Sequence, residues 1–95
     1  MKTHQIRLID STYGADNARE VLNTLLNDKI KFLKHKIFSM EERFGADTEH
    51  MKKRIEELRQ EKRDLELLFE EHDGEHIDFE IGCTLVVQVK KAEMA

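Results

Sequence analysis

The sequence contains no proline and no tryptophan, and only one cysteine, four glycines and one tyrosine. Each shortage excludes something. Without proline, nothing in the chain forces a kink or removes a backbone donor, so long unbroken helices are allowed. One cysteine, Cys83, cannot form an intrachain disulfide, which suits a reducing compartment. No run approaches the ~18 consecutive apolar residues of a membrane span. The first residues, Met1-Lys2-Thr3-His4-Gln5, carry no apolar segment of the secretory type. These features together give the expectation of a cytoplasmic protein that meets no membrane.

Chemical motifs are equally scarce. There is no glycine-rich phosphate loop, no CxxC, no HExxH and no GxSxG. A 95-residue chain with long helices offers little concave space for a substrate. The expectation is a protein that is not an enzyme and holds no cofactor.

What is abundant is charge. Charged residues are 38% of the chain against 39% hydrophobic, so the chain is rich in charge yet apolar enough to fold. The net charge of −4 is unevenly spread. Residues 1–14 and 15–44 are each net +1, residues 45–74 are −4 and residues 75–95 are −2. The acid therefore lies in the second half, which disfavours general binding to phosphate backbones.

The apolar residues fall into two periods. Leu22, Leu26, Ile30, Leu33, Ile37, Met40 and Phe44 recur at spacings of 4, 4, 3, 4, 3 and 4. This predicts a helix over about 16–44 with one stripe turned to a partner helix. Val21, Leu25 and Phe32 form a second stripe, roughly 100–120° round the same helix. Met51, Ile55, Leu58, Leu65 and Phe69 predict a second helix over about 48–72, the register passing through Lys62. A lysine there can pack its stem and extend its amine to solvent. Phe44-Gly45-Ala46-Asp47 is the break: Gly45 suits a left-handed helix end and Asp47 the next N-cap. A loop of two or three residues makes the helices antiparallel neighbours, each about 40 Å long.

Two short segments read as strands. Ile6-Arg7-Leu8-Ile9 predicts a strand over about 5–9, followed by turn and capping residues Asp10 to Gly14, with Asp16 as the helix cap. Ile77, Phe79, Ile81, Cys83, Leu85, Val87 and Val89 alternate with more polar residues and predict a strand over about 76–89. Gly82 in its middle suggests a bulge or a bend. Residues 90–95 read as a frayed tail. The fold class is α+β, mostly α: strand–helix–helix–strand, a long coiled-coil-like helical hairpin with a small antiparallel sheet at its base, forming a single domain over residues 1–95. Two strands alone are marginal, and the second stripe lacks a partner within the hairpin. A two-fold homodimer with a four-stranded sheet satisfies both.

Candidate sites are few. Val21, Leu25 and Phe32, with the tip residues Glu42, Arg43 and His50, form the expected protein-interaction surface. The tip three also suit plain capping and solvation. Lys29, Lys31, Lys34, His35 and Lys36 with Phe32 suggest a nucleic-acid strip. However, Lys29 and Lys36 point roughly 150° away from Lys31 and Lys34, so a solvated flank is the preferred reading. His72 and His76 sit among Glu71, Asp73, Glu75 and Asp78 and suggest a divalent-metal site, though the spacing matches no zinc signature and an acidic turn is preferred. Cys83 falls in phase with Ile81 and Leu85 and reads as a small core residue rather than a nucleophile. Tyr13 reads as part of the turn between strand and helix.

Overall fold

A computed structural model describes residues 2–45 and 47–92, the side chain of Phe44 excepted. Ala46, the end of the tail from Glu93, and the closing member of the first stripe at Phe44 therefore lie outside what is described here. The order is strand β1 (Thr3–Gly14), helix α1 (Ala15–Phe44), helix α2 (Glu49–Glu71) and strand β2 (Asp78–Gln88). The two strands pair antiparallel as a two-stranded sheet. The molecule is thin and long, 55 × 32 × 14 Å.

The helical hairpin follows from the stripes. Ile30, Leu33 and Ile37 of α1 interlock with Met51, Ile55 and Leu58 of α2, with Leu26 and Met40 at the margins. Gly45 ends α1 with a left-handed backbone (φ 58°), and its N–H donates to the Glu41 carbonyl at 3.2 Å. The apolar seam stops at Lys62. Its Nζ donates to Asn27 Oδ1 at 2.6 Å across the two helices, so the lysine joins them through a polar bond where a hydrophobe would otherwise sit.

Beyond that bond lies a second core, at the base, and all four elements contribute to it. Ile9, Ala18, Phe69 and Ile81 are its buried members, one from each element. Tyr13, Val21, Leu22, Leu65, Phe79 and Cys83 pack round them. Ala18 is completely buried, and a side chain of one methyl lets the sheet approach α1 closely. The Phe69 ring meets Phe79 edge-on at 4.9 Å between centroids and carries the Arg19 guanidinium at 5.1 Å. Arg19 also reaches Glu66 Oε1 at 3.2 Å, tying α1 to α2 beside the ring.

Several boundaries differ from the sequence expectation. β1 is twelve residues long, not five, because Asp10, Ser11, Thr12 and Tyr13 pair with Gly82, Ile81, Glu80 and Phe79. Tertiary pairing overrides the turn preference of those residues, and Tyr13 is a strand residue in the base core. Gly14 in extended conformation, not Asp16, is the cap of α1, and no side chain completes it. Asp16 lies in the first turn instead, where its charge favours the helix dipole. The cap of α2 is Thr48; Asp47 Oδ1 accepts from the Glu49 N–H at 3.0 Å just before it. The bulge is not at Gly82, which pairs in register with Asp10, but on β1, where Leu8 is the extra residue between Arg7↔Thr84 and Ile9↔Cys83. Its cause is parity. Ile6 and Ile9 are three residues apart, so a regular strand would send one of them to the wrong face. One inserted residue turns both toward the face that Leu85 and Cys83 occupy.

Phe69→Ala should remove the centre of the base core and destabilise the fold by about 3–5 kcal/mol. Chemical denaturation followed by circular dichroism measures it. A loss below about 1 kcal/mol would mean that the strands do not depend on this contact.

Candidate functional site

The base and the tip of the hairpin, and the exposed face of α1 between them, hold the candidate functional residues. At the tip, Thr48 is the one buried polar side chain among the described residues. Its position at the start of α2 faces it to the last turn of α1, and its Oγ1 donates to Glu41 Oε2 at 2.9 Å. The same carboxylate oxygen accepts from Lys52 Nζ at 3.1 Å, and Lys52 also lies 3.7 Å from Glu49. The Thr48 carbonyl takes the N–H groups of Met51 and Lys52, both at 3.0 Å. The turn is thus closed by side chains from both helices. The Lys52 ammonium, and then the Thr48 hydroxyl, hold the Glu41 carboxyl below its ordinary 4.5. Glu41 in turn raises Lys52 above its ordinary 10.5.

The tip residues singled out by sequence, Glu42, Arg43 and His50, are all exposed. Among the described residues none of them makes a side-chain hydrogen bond or ion pair. The residues that organise the tip are their neighbours Glu41, Thr48 and Lys52. A glutamate in the last turn of one helix, with a threonine cap and a lysine four residues on in the next, was the available signal.

On α1, the second stripe divides. Val21 is half-buried in the base core. Leu25 is exposed and shares an open hollow with Leu8, Ile9, Glu20, Val21 and Thr24. Phe32 is 58% exposed, and the sheet does not reach it. Further along, Lys31, Lys34, His35 and Phe38 line one hollow of about 440 Å³ with Asn27 and Ile30. Phe32 and Asp28 adjoin it through Lys31 and His35. Lys29 stands 5.3 Å from the centre of the Phe32 ring. Structure therefore groups Lys31, Lys34 and His35 with two exposed aromatic rings, leaving Lys36 outside these hollows.

At the base, His72 follows α2 as its C-cap. Its Nδ1 is buried, lies 3.6 Å from Glu75 Oε2, too far for a hydrogen bond, and has no other partner among the described residues. Its ring stands 6.3 Å from Phe79. His76 is exposed, beyond the turn at Gly74. Among the described residues no group of three or more His, Cys, Asp or Glu side chains is placed to hold a metal ion. Cys83 is free and half-buried in the base core. No helix among the described residues is long and apolar enough to cross a membrane.

The fold and sites thus define an α+β helical hairpin closed at its base by a two-stranded sheet. Comparison with protein families, with curated proteins and with solved structures gives no match.

The tip network implies a pH window. Glu41 is lowered, so its contribution is present above about pH 4.5 and is lost as pH falls through the lowered value. Lys52 is raised, so its contribution is complete below about pH 10.5 and is lost as pH rises through the raised value. Amide protection at residues 47–52, taken relative to the intrinsic exchange rate at each pH, should fall on acidification, and Glu41→Gln should flatten that acid response. An unchanged acid profile in Glu41→Gln would assign the closure of the turn to other groups.

Proposed function

We propose that this chain is a non-enzymatic, homodimeric protein-interaction or structural module of the cytoplasm, whose charged helix faces and hairpin tip meet a protein partner. The observation that carries the reading is an apolar surface in phase with the core and left uncovered. Ile6, Leu8, Leu25, Leu85 and Val87 continue the inward pattern of both strands and of α1, yet are 36–50% exposed. Scattered apolar residues are normal on a surface, but a run adjoining the core marks association. A thin molecule with its two cores on a single layer of helices also gains much by covering its second face. The tip, closed by Glu41, Thr48 and Lys52, holds Glu42, Arg43 and His50 exposed at the far end.

A second reading is favoured by the hollow on α1. Lys31, Lys34 and His35 stand beside Phe32 and Phe38, the latter 66% exposed, and charged side chains interleaved with free aromatic rings suit single-stranded nucleic acid. The overall charge of −4 and the acidic α2 weigh against it.

Light scattering after size exclusion at micromolar concentration should give twice the mass of the chain, with a melting temperature that rises with concentration. A monomer at every concentration would end the homodimer reading. Fluorescence anisotropy with a single-stranded oligonucleotide decides the second reading. Binding that weakens with salt and is lost in Lys31→Ala/Lys34→Ala would favour it, and no binding at low ionic strength would remove it.

A further inference from the structure

We infer that the second copy docks along the free edge of β2, antiparallel and with Leu85 on the two-fold axis, giving a continuous sheet in the order β1-β2-β2-β1. This rests on the homodimer reading above and specifies its interface.

The two sheet edges are not equivalent. β1 carries the bulge at Leu8, and the Arg7–Asp10 ion pair, 3.2 Å, spans that bulge. Bulges and charges are the devices that blunt an edge against further pairing. β2 has neither between Ile81 and Val89: no charged residue, no proline and no register shift of its own over nine positions. All its residues from Thr84 onward are exposed.

The backbone groups point the right way. The Val89 N–H donates to the Lys2 carbonyl at 3.0 Å, so Val89 directs its backbone groups to β1. Backbone direction alternates along a strand, and Val87 and Leu85 therefore do the same. Thr84, Val86 and Gln88 direct theirs to the open edge. Their side chains lie on the face away from the helices, because Ile81 is buried and Cys83 half-buried on the other.

Charge sets direction and register. The strand is acidic before its apolar stretch, at Asp78 and Glu80, and basic after it, at Lys90 and Lys91. A parallel copy would set like charges side by side, whereas an antiparallel copy sets them in opposition. A two-fold axis perpendicular to the sheet requires facing residues to share a face, so paired numbers must add to an even sum. With the axis at Leu85, Glu80 faces Lys90 of the second copy directly, and Asp78 is its diagonal neighbour. Thr84 then faces Val86 of the second copy, and both present backbone groups to the edge. On the inner face Leu85 meets itself, and Val87 and Val89 lie beside Cys83 and Ile81 of the second copy. The exposed end of each strand would thereby cover the base core of its neighbour.

Three sets of variants test this by light scattering and cross-linking on the full chain. Val86→Pro removes one N–H directed to the open edge, away from β1, a place where proline is tolerated. It should leave the circular dichroism spectrum unchanged and yield a monomer. Glu80→Lys and Lys90→Glu should each weaken the dimer about tenfold, since two symmetry-related pairs are lost at once. The double variant should restore it, an outcome that a folding defect cannot imitate. In a Cys83→Ser background, Leu85→Cys should oxidise to a disulfide-linked dimer, because facing residues of that pair type lie within disulfide reach. Thr84→Cys and Val86→Cys should cross-link far less. A monomeric parent chain would overturn this proposal together with the homodimer reading. A dimer that survives Val86→Pro, shows no charge rescue and does not cross-link through Leu85→Cys would overturn the β2 interface alone. Cross-linking through Thr84→Cys or Val86→Cys instead would overturn the Leu85 axis.

Discussion

The packing of Phe69 against Ile9, Ala18 and Ile81 is the contact on which the architecture depends, because it is where residues of all four elements meet in one buried cluster. The hairpin alone can close the seam from Ile30 to Leu58, but that seam says nothing about where the strands go. Phe69 projects from the end of α2 and is held by Phe79 on one side and Arg19 on the other. Ala18 keeps the opposite wall low enough for β1 to lie on α1. A larger residue there would lift the sheet and open the cluster, since a packed interior accommodates added volume only through strain. The strands are then anchored at one end, near Ile9 and Ile81, and their other ends run on past the helices' cover.

Lys62 divides the molecule into two cores. The Asn27–Lys62 bond stands between the tip cluster and the base cluster. A leucine at position 62 would continue the stripe and leave the alignment of the two helices to the turn alone, since nothing in a uniform stripe favours one register. The pairing of a single lysine with a single asparagine selects one alignment at the cost of some buried apolar area. The turn at Thr48 reinforces the same alignment from the far end, through Glu41 and Lys52.

Periodicity made the helices legible because each side chain's phase depends only on its own helix. The three- and four-residue spacings of Leu22 to Met40 and of Met51 to Phe69 state which face is apolar, and two such faces joined by Gly45 have one economical solution. The odd residues of β2 were legible for the same reason. What escaped depended on a partner. Asp10 to Tyr13 have the composition of a turn and become strand only because β2 lies beside them. The bulge could have been inferred from the spacing of Ile6 and Ile9, but it needs the pairing with Leu85 and Cys83 to reveal which residue is extra. At the tip, sequence position alone pointed to Glu42, Arg43 and His50. The side chains that interact there are Glu41, Thr48 and Lys52, a distinction set by which way each faces across the turn. The lysines of α1 show the limit from the other side: an angle round the helix separates Lys29 from Lys31, yet Phe32 joins their neighbourhoods because a ring is wide.

The uneven cover of the two ends bears on what the hairpin is for. Pairing along β2 would use the base of the molecule and the uncovered ends of the strands, and would leave α2's acidic face and the whole tip free. The charge pattern agrees with such a division of labour. The stretch from Ile81 to Val89, which would be buried between copies, carries no charge, whereas the helix that would stay in solvent carries ten acidic and six basic residues with its flanking turns. A desolvated charge costs free energy unless it is paired, and an exposed one costs little. Evenly distributed charge would have opposed association at the base and gained nothing at the tip. The segregation therefore favours a scaffold joined at its sheet, with two arms projecting from the joint and their charged ends left available to a partner.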